Sequence, residues 1–198
     1  RNKAANENAS AVGYGNNAGG VASSAFGFSN VAKVDYASAF GYSNEASGLA
    51  SSAVGFRNKA ASENASAVGY GNNANALAAS AVGYNNTAGG VGSSTIGYNN
   101  TATNENASAF GYGNTAGGLA SSAFGFSNTA SGDNANAFGY NNIASGSKSN
   151  VFGTGNTVSG SSSTAVGTAN EVAAENSTAI GNNNTISAGA ENSAALGN

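Results

Sequence analysis

One spacing constrains this chain more than any other feature: a large apolar residue followed by glycine recurs every fourteen residues. The glycines of this series are Gly13, Gly27, Gly41, Gly55, Gly69, Gly83, Gly97, Gly111, Gly125, Gly139, Gly153, Gly167 and Gly181. Gly197 follows after a step of sixteen, so the last coil, 182–197, is longer by two residues. A fixed period of this length is typical of solenoids, in which each repeat forms one coil that stacks on its neighbours.

The residue before each glycine forms what we call the apolar row, and we predict it to be a structural core row. Its members are Val12, Phe26, Phe40, Val54, Val68, Val82, Ile96, Phe110, Phe124, Phe138, Phe152, Val166, Ile180 and Leu196. Segments such as Ser122–Phe126 alternate in character, because Ser, Phe and Phe fall on one face and Ala and Gly on the other. This alternation predicts a short β-strand in every coil.

Asparagine stands three residues after every glycine of the fourteen-residue series, and we call this the asparagine row. Its members are Asn16, Asn30, Asn44, Asn58, Asn72, Asn86, Asn100, Asn114, Asn128, Asn142, Asn156, Asn170 and Asn184. Asparagine tolerates the left-handed backbone conformation and bonds to nearby backbone groups, which suits the turn between two strands. Stacked coils would also align the amides in a hydrogen-bonded ladder.

These patterns predict an all-β fold, a parallel β-solenoid of about fourteen coils that forms a single domain over residues 1–198. No segment has sustained helical periodicity, and proline, which interrupts parallel pairing, is absent. The pattern changes after about residue 150. The row after the glycine is aromatic as far as Tyr140, whereas five residues after the glycine Ala144 is followed by Val158, Val172 and Ile186.

Composition excludes several classes of function. The net charge is −3 and the basic residues are scattered, which argues against nucleic acid as a partner. The chain has no cysteine, and therefore neither disulfides nor thiolate metal sites. No stretch is apolar enough to span a bilayer and the first residues do not resemble a signal peptide. We expect any export signal or membrane anchor to lie outside these residues.

No catalytic, cofactor-binding or metal-ligating residue is predicted. The chain lacks His and Cys, so its serines have no activating base of the usual kind. The carboxylates Glu7, Asp35, Glu63, Glu105 and Asp133 occupy equivalent positions on separate coils, where they are expected to be solvated. The triplets Gly13–Gly15 and Asn8–Ser10 look like nucleotide-binding and glycosylation signatures, but they recur because the repeat does.

Two further sets of residues allow either a structural or a binding interpretation. Lys3 lies four coils away from Arg57 and Lys59, and these residues are either contacts for an acidic ligand or solubilising charges. The tyrosines after the glycines could stack on a ligand or pack between coils.

The repeat resembles the heads of trimeric autotransporter adhesins, the YadA-like heads. The family motif Asn-Ser-Val-Ala-Ile-Gly is matched most closely by 176–181 and 192–197. The resemblance implies a left-handed parallel β-roll, a side-by-side homotrimer, and a location on the bacterial surface, anchored in the outer membrane through a neck, a stalk and a barrel outside these residues. It implies binding of host matrix proteins such as collagen, fibronectin or laminin, or of abiotic surfaces, without cofactors.

The chain departs from the family pattern at two positions of the repeat. The family's Val is mostly Ser here, as at Ser10, Ser24 and Ser38, and aromatic residues follow the glycine in ten coils. The fold is expected to survive both changes, but the binding specificity of relatives is not expected to carry over, and no binding residue is taken from the family.

The periodicity allows two arrangements of the apolar row. If alanine and glycine line the inside of each roll, the apolar and aromatic rows lie outside, where a trimer could bury them. If the large side chains fill the roll, the alanine face points outward and a monomer could stand alone. The sequence pattern by itself does not choose between these arrangements.

Two other functions compete with adhesion. An ice-binding solenoid needs a flat threonine row, and Thr87, Thr101, Thr115 and Thr129 form a short one. A passive spacer in a surface fibre needs no binding face at all.

Overall fold

A computed structural model describes residues 1–198, and it contains strands and turns but no helix. The chain divides into two compact units, Arg1–Asn99 and Asn100–Asn198, which are described separately. Every coil in both units contributes one two-residue strand and one longer strand. The all-β parallel solenoid predicted from the period is confirmed. The assignment of residues 1–198 to one domain stays a prediction.

The first unit contains fourteen strands. They are β1 (Lys3–Ala4), β2 (Ser10–Tyr14), β3 (Asn17–Ala18), β4 (Ser24–Phe28), β5 (Val31–Ala32), β6 (Ser38–Tyr42), β7 (Glu45–Ala46), β8 (Ser52–Phe56), β9 (Lys59–Ala60), β10 (Ser66–Tyr70), β11 (Asn73–Ala74), β12 (Ser80–Tyr84), β13 (Thr87–Ala88) and β14 (Ser94–Tyr98).

The second unit also contains fourteen strands. They are β15 (Thr101–Ala102), β16 (Ser108–Tyr112), β17 (Thr115–Ala116), β18 (Ser122–Phe126), β19 (Thr129–Ala130), β20 (Asn136–Tyr140), β21 (Ile143–Ala144), β22 (Asn150–Thr154), β23 (Thr157–Val158), β24 (Thr164–Thr168), β25 (Glu171–Val172), β26 (Thr178–Asn182), β27 (Thr185–Ile186) and β28 (Ala194–Gly197).

Each unit has two parallel sheets, a short sheet of two-residue strands and a long sheet of longer ones. The register equals the sequence period, so Ala67 pairs with Ala81 in the long sheet and Ala74 with Ala88 in the short sheet. The longer last coil keeps this pairing, because Gly181 still pairs with Gly197. Its two extra residues are therefore accommodated in the turns between β27 and β28.

The interior of the first unit is made almost entirely of alanine. Ala67 on the long sheet and Ala74 on the short sheet are both fully buried, as are their equivalents in neighbouring coils. A side chain of one methyl group lets the two sheets approach closely at native packing density. The small apolar residue of the repeat therefore forms the core of the roll.

The interior of the second unit becomes larger towards its end. Val151, Val158 and Val172 are fully buried and Ile186 is almost so, in the same cluster as the alanines. These side chains point into the roll, whereas the aromatic row ending at Tyr140 is exposed. The change after residue 150 thus concerns two separate places, the outer face of the long sheet and the interior of the roll.

The apolar row lies on the outside of each roll and not in its interior, and burial of this row in an assembly stays a prediction. None of the following residues is buried: Val12, Phe26, Phe40, Val54, Val68, Val82, Ile96, Phe110, Phe124, Phe138, Phe152, Val166, Ile180 and Leu196. The reason is the period of two in a strand, since the neighbouring alanine points inward and the large residue must point outward. The structure thereby chooses between the two arrangements that the periodicity left open.

The turns use left-handed backbone at a different position from the one predicted. The residue before each row asparagine has a positive φ, as in Ser29 (54°) and Asn85 (53°), while the row asparagine does not. A second left-handed residue stands seven positions later in the coil, as at Ala22 (53°) and Ala50 (53°). Each coil therefore closes through two tight left-handed corners. The row asparagines do not supply the left-handed backbone at either corner.

The recurring glycine is required because two coils approach too closely for a side chain. Gly69 has a φ of 119°, and a Cβ added there would overlap the carbonyl oxygen of Gly83 in the next coil. Only glycine avoids this overlap while adopting such a φ. The repeated glycine thus permits the tight parallel stacking of coils.

Candidate binding surface

The outer face of the long sheet carries a row of exposed apolar residues in each unit. Phe40, Val68 and Ile96 in the first unit are 36%, 37% and 46% exposed, and Phe152 in the second is 41% exposed. Because equivalent residues lie side by side in register, they form a continuous stripe within each unit. Soluble monomers rarely expose apolar stripes of this extent, which usually mark interaction sites.

The residue after each glycine forms the aromatic row, which runs beside the apolar row. In the first unit Tyr70, Tyr84 and Tyr98 stack with ring centroids 4.8 Å apart and interplanar angles of 6° and 2°. In the second unit Tyr112 and Phe126 stack at 4.7 Å. The rings pack between coils, yet most remain exposed at their outer edges. Packing and exposure therefore coexist in the same row.

Some phenylalanines of the apolar row also stack. Phe124 lies between Phe110 and Phe138, with centroid distances of 4.7 Å and 4.9 Å. Stacked pairs contribute about 0.5–1.5 kcal/mol beyond the burial of area. These rings therefore stabilise the stacking of coils while leaving an apolar outer edge.

The asparagine row lies buried at the corner between the long and short strands. The Nδ2 of Asn44 donates to the carbonyl oxygens of Phe40 (2.9 Å) and Gly55 (2.6 Å) and lies 3.0 Å from Oδ1 of Asn30. Its Oδ1 accepts from the backbone N–H of Asn58 at 3.0 Å. Each amide therefore satisfies backbone groups in its own coil and in the next coil, and it bonds to the side-chain amide of the preceding coil, where water does not reach.

The other row asparagines occupy the equivalent corner. Those that are nearly or completely inaccessible are Asn16, Asn30, Asn44, Asn58, Asn72, Asn86, Asn100, Asn114, Asn128, Asn142, Asn156 and Asn170, and Asn184 in the last coil is more exposed. They belong to the framework of the roll and are not part of a ligand-binding surface.

A row of buried serines at the second corner escaped the sequence reasoning. Ser23 Oγ accepts a hydrogen bond from the backbone N–H of Gly20 (3.1 Å) and donates to its carbonyl oxygen (2.7 Å). The same Gly–Ser pair closes the turn at Gly48 and Ser51. The signal was present, because most coils with glycine seven residues after the recurring glycine have serine three residues further on, although Gly132 is followed by Ala135.

The basic residues do not form one cluster. The guanidinium of Arg57 lies 5.1 Å from the ring centroid of Phe56, so Arg57 extends over the aromatic row. Lys59 lies on β9 of the short sheet, in register with Glu45 and Asn73. The equivalent Lys3 is on β1. These charges therefore belong to different faces of the first unit.

The carboxylates occupy the turns in two different ways. Asp35 accepts a hydrogen bond from the backbone N–H of Val21 at 2.8 Å, and Asp133 from that of Leu119 at 3.0 Å. Glu7, Glu63 and Glu105, predicted to be solvated, are exposed. The aspartates thus connect neighbouring coils, whereas these glutamates face water. No group of three or more metal-ligating residues is brought together.

Threonines line part of the outer face of the short sheet. In the second unit Thr101, Thr115 and Thr129 stand in register on β15, β17 and β19, and Ile143 follows them on β21. The strands here are only two residues long. The threonine face is therefore one residue wide and three coils long before it is interrupted.

The fold also contains no helix long and apolar enough to span a membrane.

Comparison with protein families agrees with this arrangement. Six segments match the family model described as the YadA head domain repeat (2 copies): residues 18–44, 32–58, 46–72, 88–114, 116–142 and 159–184. Together they cover more than half of the chain and fall in both units. No match is found among curated proteins. Since the matched segments follow the fourteen-residue register of the coils, the chain belongs to the YadA head repeat family.

Proposed function

We propose that this chain is the head of a trimeric autotransporter adhesin, a non-catalytic binding module displayed on the bacterial surface. The proposal rests above all on the outward position of the apolar row. It is supported by membership of the YadA head family. The anchor in the outer membrane, a left-handed coil and a side-by-side homotrimer are parts of this proposal.

The balance of exposed and buried apolar groups supports the proposed trimer. The core of the first unit holds alanine, while Val, Ile and Phe side chains stand outside on the long sheet. Burying apolar surface contributes roughly 25 cal/mol per Å². Three chains that turn their long sheets towards a common axis would remove this stripe from water and leave the turns and the short sheets exposed.

The repetition of nearly identical coils supports a role in adhesion. Three chains with nearly identical coils present the same weak site many times, and multivalency can increase the overall affinity by roughly 10²–10⁴-fold without new contacts. The proposed partners are matrix proteins such as collagen, fibronectin and laminin, or abiotic surfaces. Ice binding is not favoured, because the threonine face of the second unit ends at Ile143 after three coils.

The trimer is tested by sedimentation of the Phe124→Asp variant, with Thr129→Asp on the opposite sheet as the matched control. We expect the parent chain and the control to sediment as trimers and Phe124→Asp to dissociate, since three carboxylates would converge in an apolar contact. A parent chain that is monomeric at all concentrations would overturn the proposed trimer.

Adhesion is tested separately by surface plasmon resonance on immobilised collagen, fibronectin and laminin and on bare polystyrene. We expect the trimer to be retained much more strongly than the dissociated Phe124→Asp variant on at least one of these surfaces. Equal weak retention of both on every surface would leave the spacer as the function.

A further inference from the structure

One motif has no part in the proposed function: the triplet Asn-x-Ser/Thr, which occurs seven times. Its asparagines are Asn8, Asn64, Asn85, Asn99, Asn106, Asn176 and Asn183. Such a triplet is the acceptor signature for an N-linked sugar where the asparagine is accessible and the middle residue is not proline. The repeat explains why the triplet recurs, but not where the fold places it.

The fold places all seven asparagines at left-handed corners on the surface. Their φ angles lie between 51° and 57°, and every one of them is exposed. The hydroxyl residue of each triplet is the first residue of a strand, as with Ser10 of β2, Ser66 of β10 and Thr178 of β26. All seven therefore share one local geometry, an exposed amide that leads directly into a paired strand.

The buried asparagines are never the acceptor residue of such a triplet. Two residues after each member of the asparagine row the chain has Ala, Val or Ile, and these side chains fill the core, as Ala46 and Val158 do. A hydroxyl cannot replace them without placing a polar group between the sheets. The fold thus separates structural asparagines from those that a transferase could reach.

The backbone does not require asparagine at these corners. At the position equivalent to Asn64, Ala22, Ala50, Lys148 and Ser162 adopt the same left-handed φ, between 53° and 58°. Asparagine is one of several residues that this corner accepts. Conformation therefore does not select asparagine at this corner.

Four of the triplets share a further feature. Asn8, Asn64, Asn106 and Asn176 each follow a glutamate directly, and all four stand at the second corner of the coil, before the long strand. Their glutamates are exposed. The side chains beside these asparagines are thus polar, whereas the equivalent corners in other coils often carry exposed leucine or valine, as at Leu49 and Val91.

We propose that these four Glu-Asn corners are N-glycosylation sites, which take a hexose or a short oligosaccharide from a phosphate-activated donor. The asparagine Nδ2 would form a bond to the anomeric carbon of the sugar while the bond from that carbon to the phosphate oxygen breaks. The phosphate group leaves with the electron pair, and Nδ2 loses one proton to a base of the transferase. No oxidation or reduction is involved.

The remaining triplets are a different case. The Nδ2 of Asn85 donates to Oδ1 of Asn99 at 3.0 Å, so the two side chains are joined across neighbouring coils of the first unit. Asn183 stands at this same first corner, beside the buried asparagine row. The proposal is therefore confined to the four second-corner sites.

The chain contains its own matched controls. Asn134 and Asn192 occupy the same second corner, with φ angles of 57° and 59°, and each follows an acidic residue. Their triplets end in Asn136 and Ala194, which have no hydroxyl. They reproduce the backbone and the charge of the proposed sites without the acceptor signature.

The test is peptide mass spectrometry on the protein purified from the cell that produces it. We expect sugar masses on Asn8, Asn64, Asn106 and Asn176 and none on Asn134 or Asn192. Increments of single hexoses would indicate a nucleotide-activated donor, and one fixed oligosaccharide mass a lipid-linked donor. Either result supports the proposal.

Three variants expressed in the same cell sharpen the test. Ser66→Ala should abolish the modification of Asn64 and leave Asn8 unchanged, while Ser66→Thr should retain it. Asn136→Ser should add a sugar to Asn134, and serine is tolerated there because most equivalent strands begin with it. Unmodified peptides at all four sites, or equal modification of Asn134 in the parent chain, would overturn the proposal.

Discussion

The Nδ2 of Asn142 lies 2.7 Å from the carbonyl oxygen of Gly153, the recurring glycine of the following coil. The same nitrogen reaches the carbonyl oxygen of Phe138 at 3.1 Å and Oδ1 of Asn128 at 3.0 Å. Two residue types that recur together in the sequence are thus partners in space. The glycine permits the close approach of coils, and the asparagine satisfies the polar groups that this approach buries.

We expect Asn142→Ala to destabilise the chain far more than Asn141→Ala. The first change removes donors to two carbonyl groups, and each buried group left unsatisfied costs about 1–3 kcal/mol. Asn141 is exposed at the left-handed corner with a φ of 53°, and alanine occupies the equivalent corner at Ala169. Denaturant unfolding of the two variants measures the difference, and equal midpoints would contradict the role of the ladder.

Gly69→Ala and Gly71→Ala should differ for a steric reason. A Cβ at Gly69 would overlap the carbonyl oxygen of Gly83, so the strands of neighbouring coils must separate. A Cβ at Gly71 would have Oδ1 of Asn85 as its nearest neighbour, at 3.8 Å. The loss of stability in Gly71→Ala would then come only from the left-handed φ, about 1–2 kcal/mol.

Hydrogen exchange of strands β10 and β12 reports this difference directly. We expect protection there to be lost in Gly69→Ala and kept in Gly71→Ala. Unchanged protection in Gly69→Ala would show that the coils can move apart without loss of pairing.

The interior should tolerate neither larger side chains in the first unit nor smaller ones at the end of the second. Ala67→Leu adds three carbons between closely spaced sheets, and overpacking typically costs about 1–3 kcal/mol or more. Val158→Ala removes two buried carbons and should cost about 2 kcal/mol from lost burial and the cavity left behind.

The exposed alanine Ala50 offers a control for size alone. Ala50→Leu adds the same three carbons at a surface corner, and we expect it to cost much less than Ala67→Leu. Thermal unfolding compares the three variants. A larger loss of stability in Ala50→Leu than in Ala67→Leu would contradict the close packing of the sheets.

Tyr84→Ala should be more destabilising than Tyr36→Ala, although both tyrosines are exposed. Tyr84 stacks on Tyr70 and Tyr98 at 4.8 Å, and its removal interrupts contacts worth about 0.5–1.5 kcal/mol each. Tyr36 is 62% exposed at a corner with a φ of 59°, where alanine is found in neighbouring coils. Chemical denaturation of both variants checks the order, and a reversed order would show that stacking does not hold the coils together.

The fourteen-residue period by itself determined the parallel β-solenoid and the inward or outward grouping of residues. A strand has a period of two, so Ala67 and Val68 had to point to opposite sides whichever side was inside. The pairing register was equally determined, because identical residues stack only when Ser66 faces Ser80 and Gly69 faces Gly83. The alternation of side chains and the pairing register both follow from the repeat itself, so the sequence pattern is enough to predict them.

Only the tertiary structure decided which side of the strand is the core. That choice depends on the distance between the two sheets, which is set by Ala67 and Ala74 from different strands. The tertiary structure also decided that the left-handed residue is Ser29 and not Asn30. The side-chain amide of Asn30 donates instead to the carbonyl oxygens of Phe26 and Gly41. Both results arise from contacts between strands and between coils, which the order of residues along one coil does not specify.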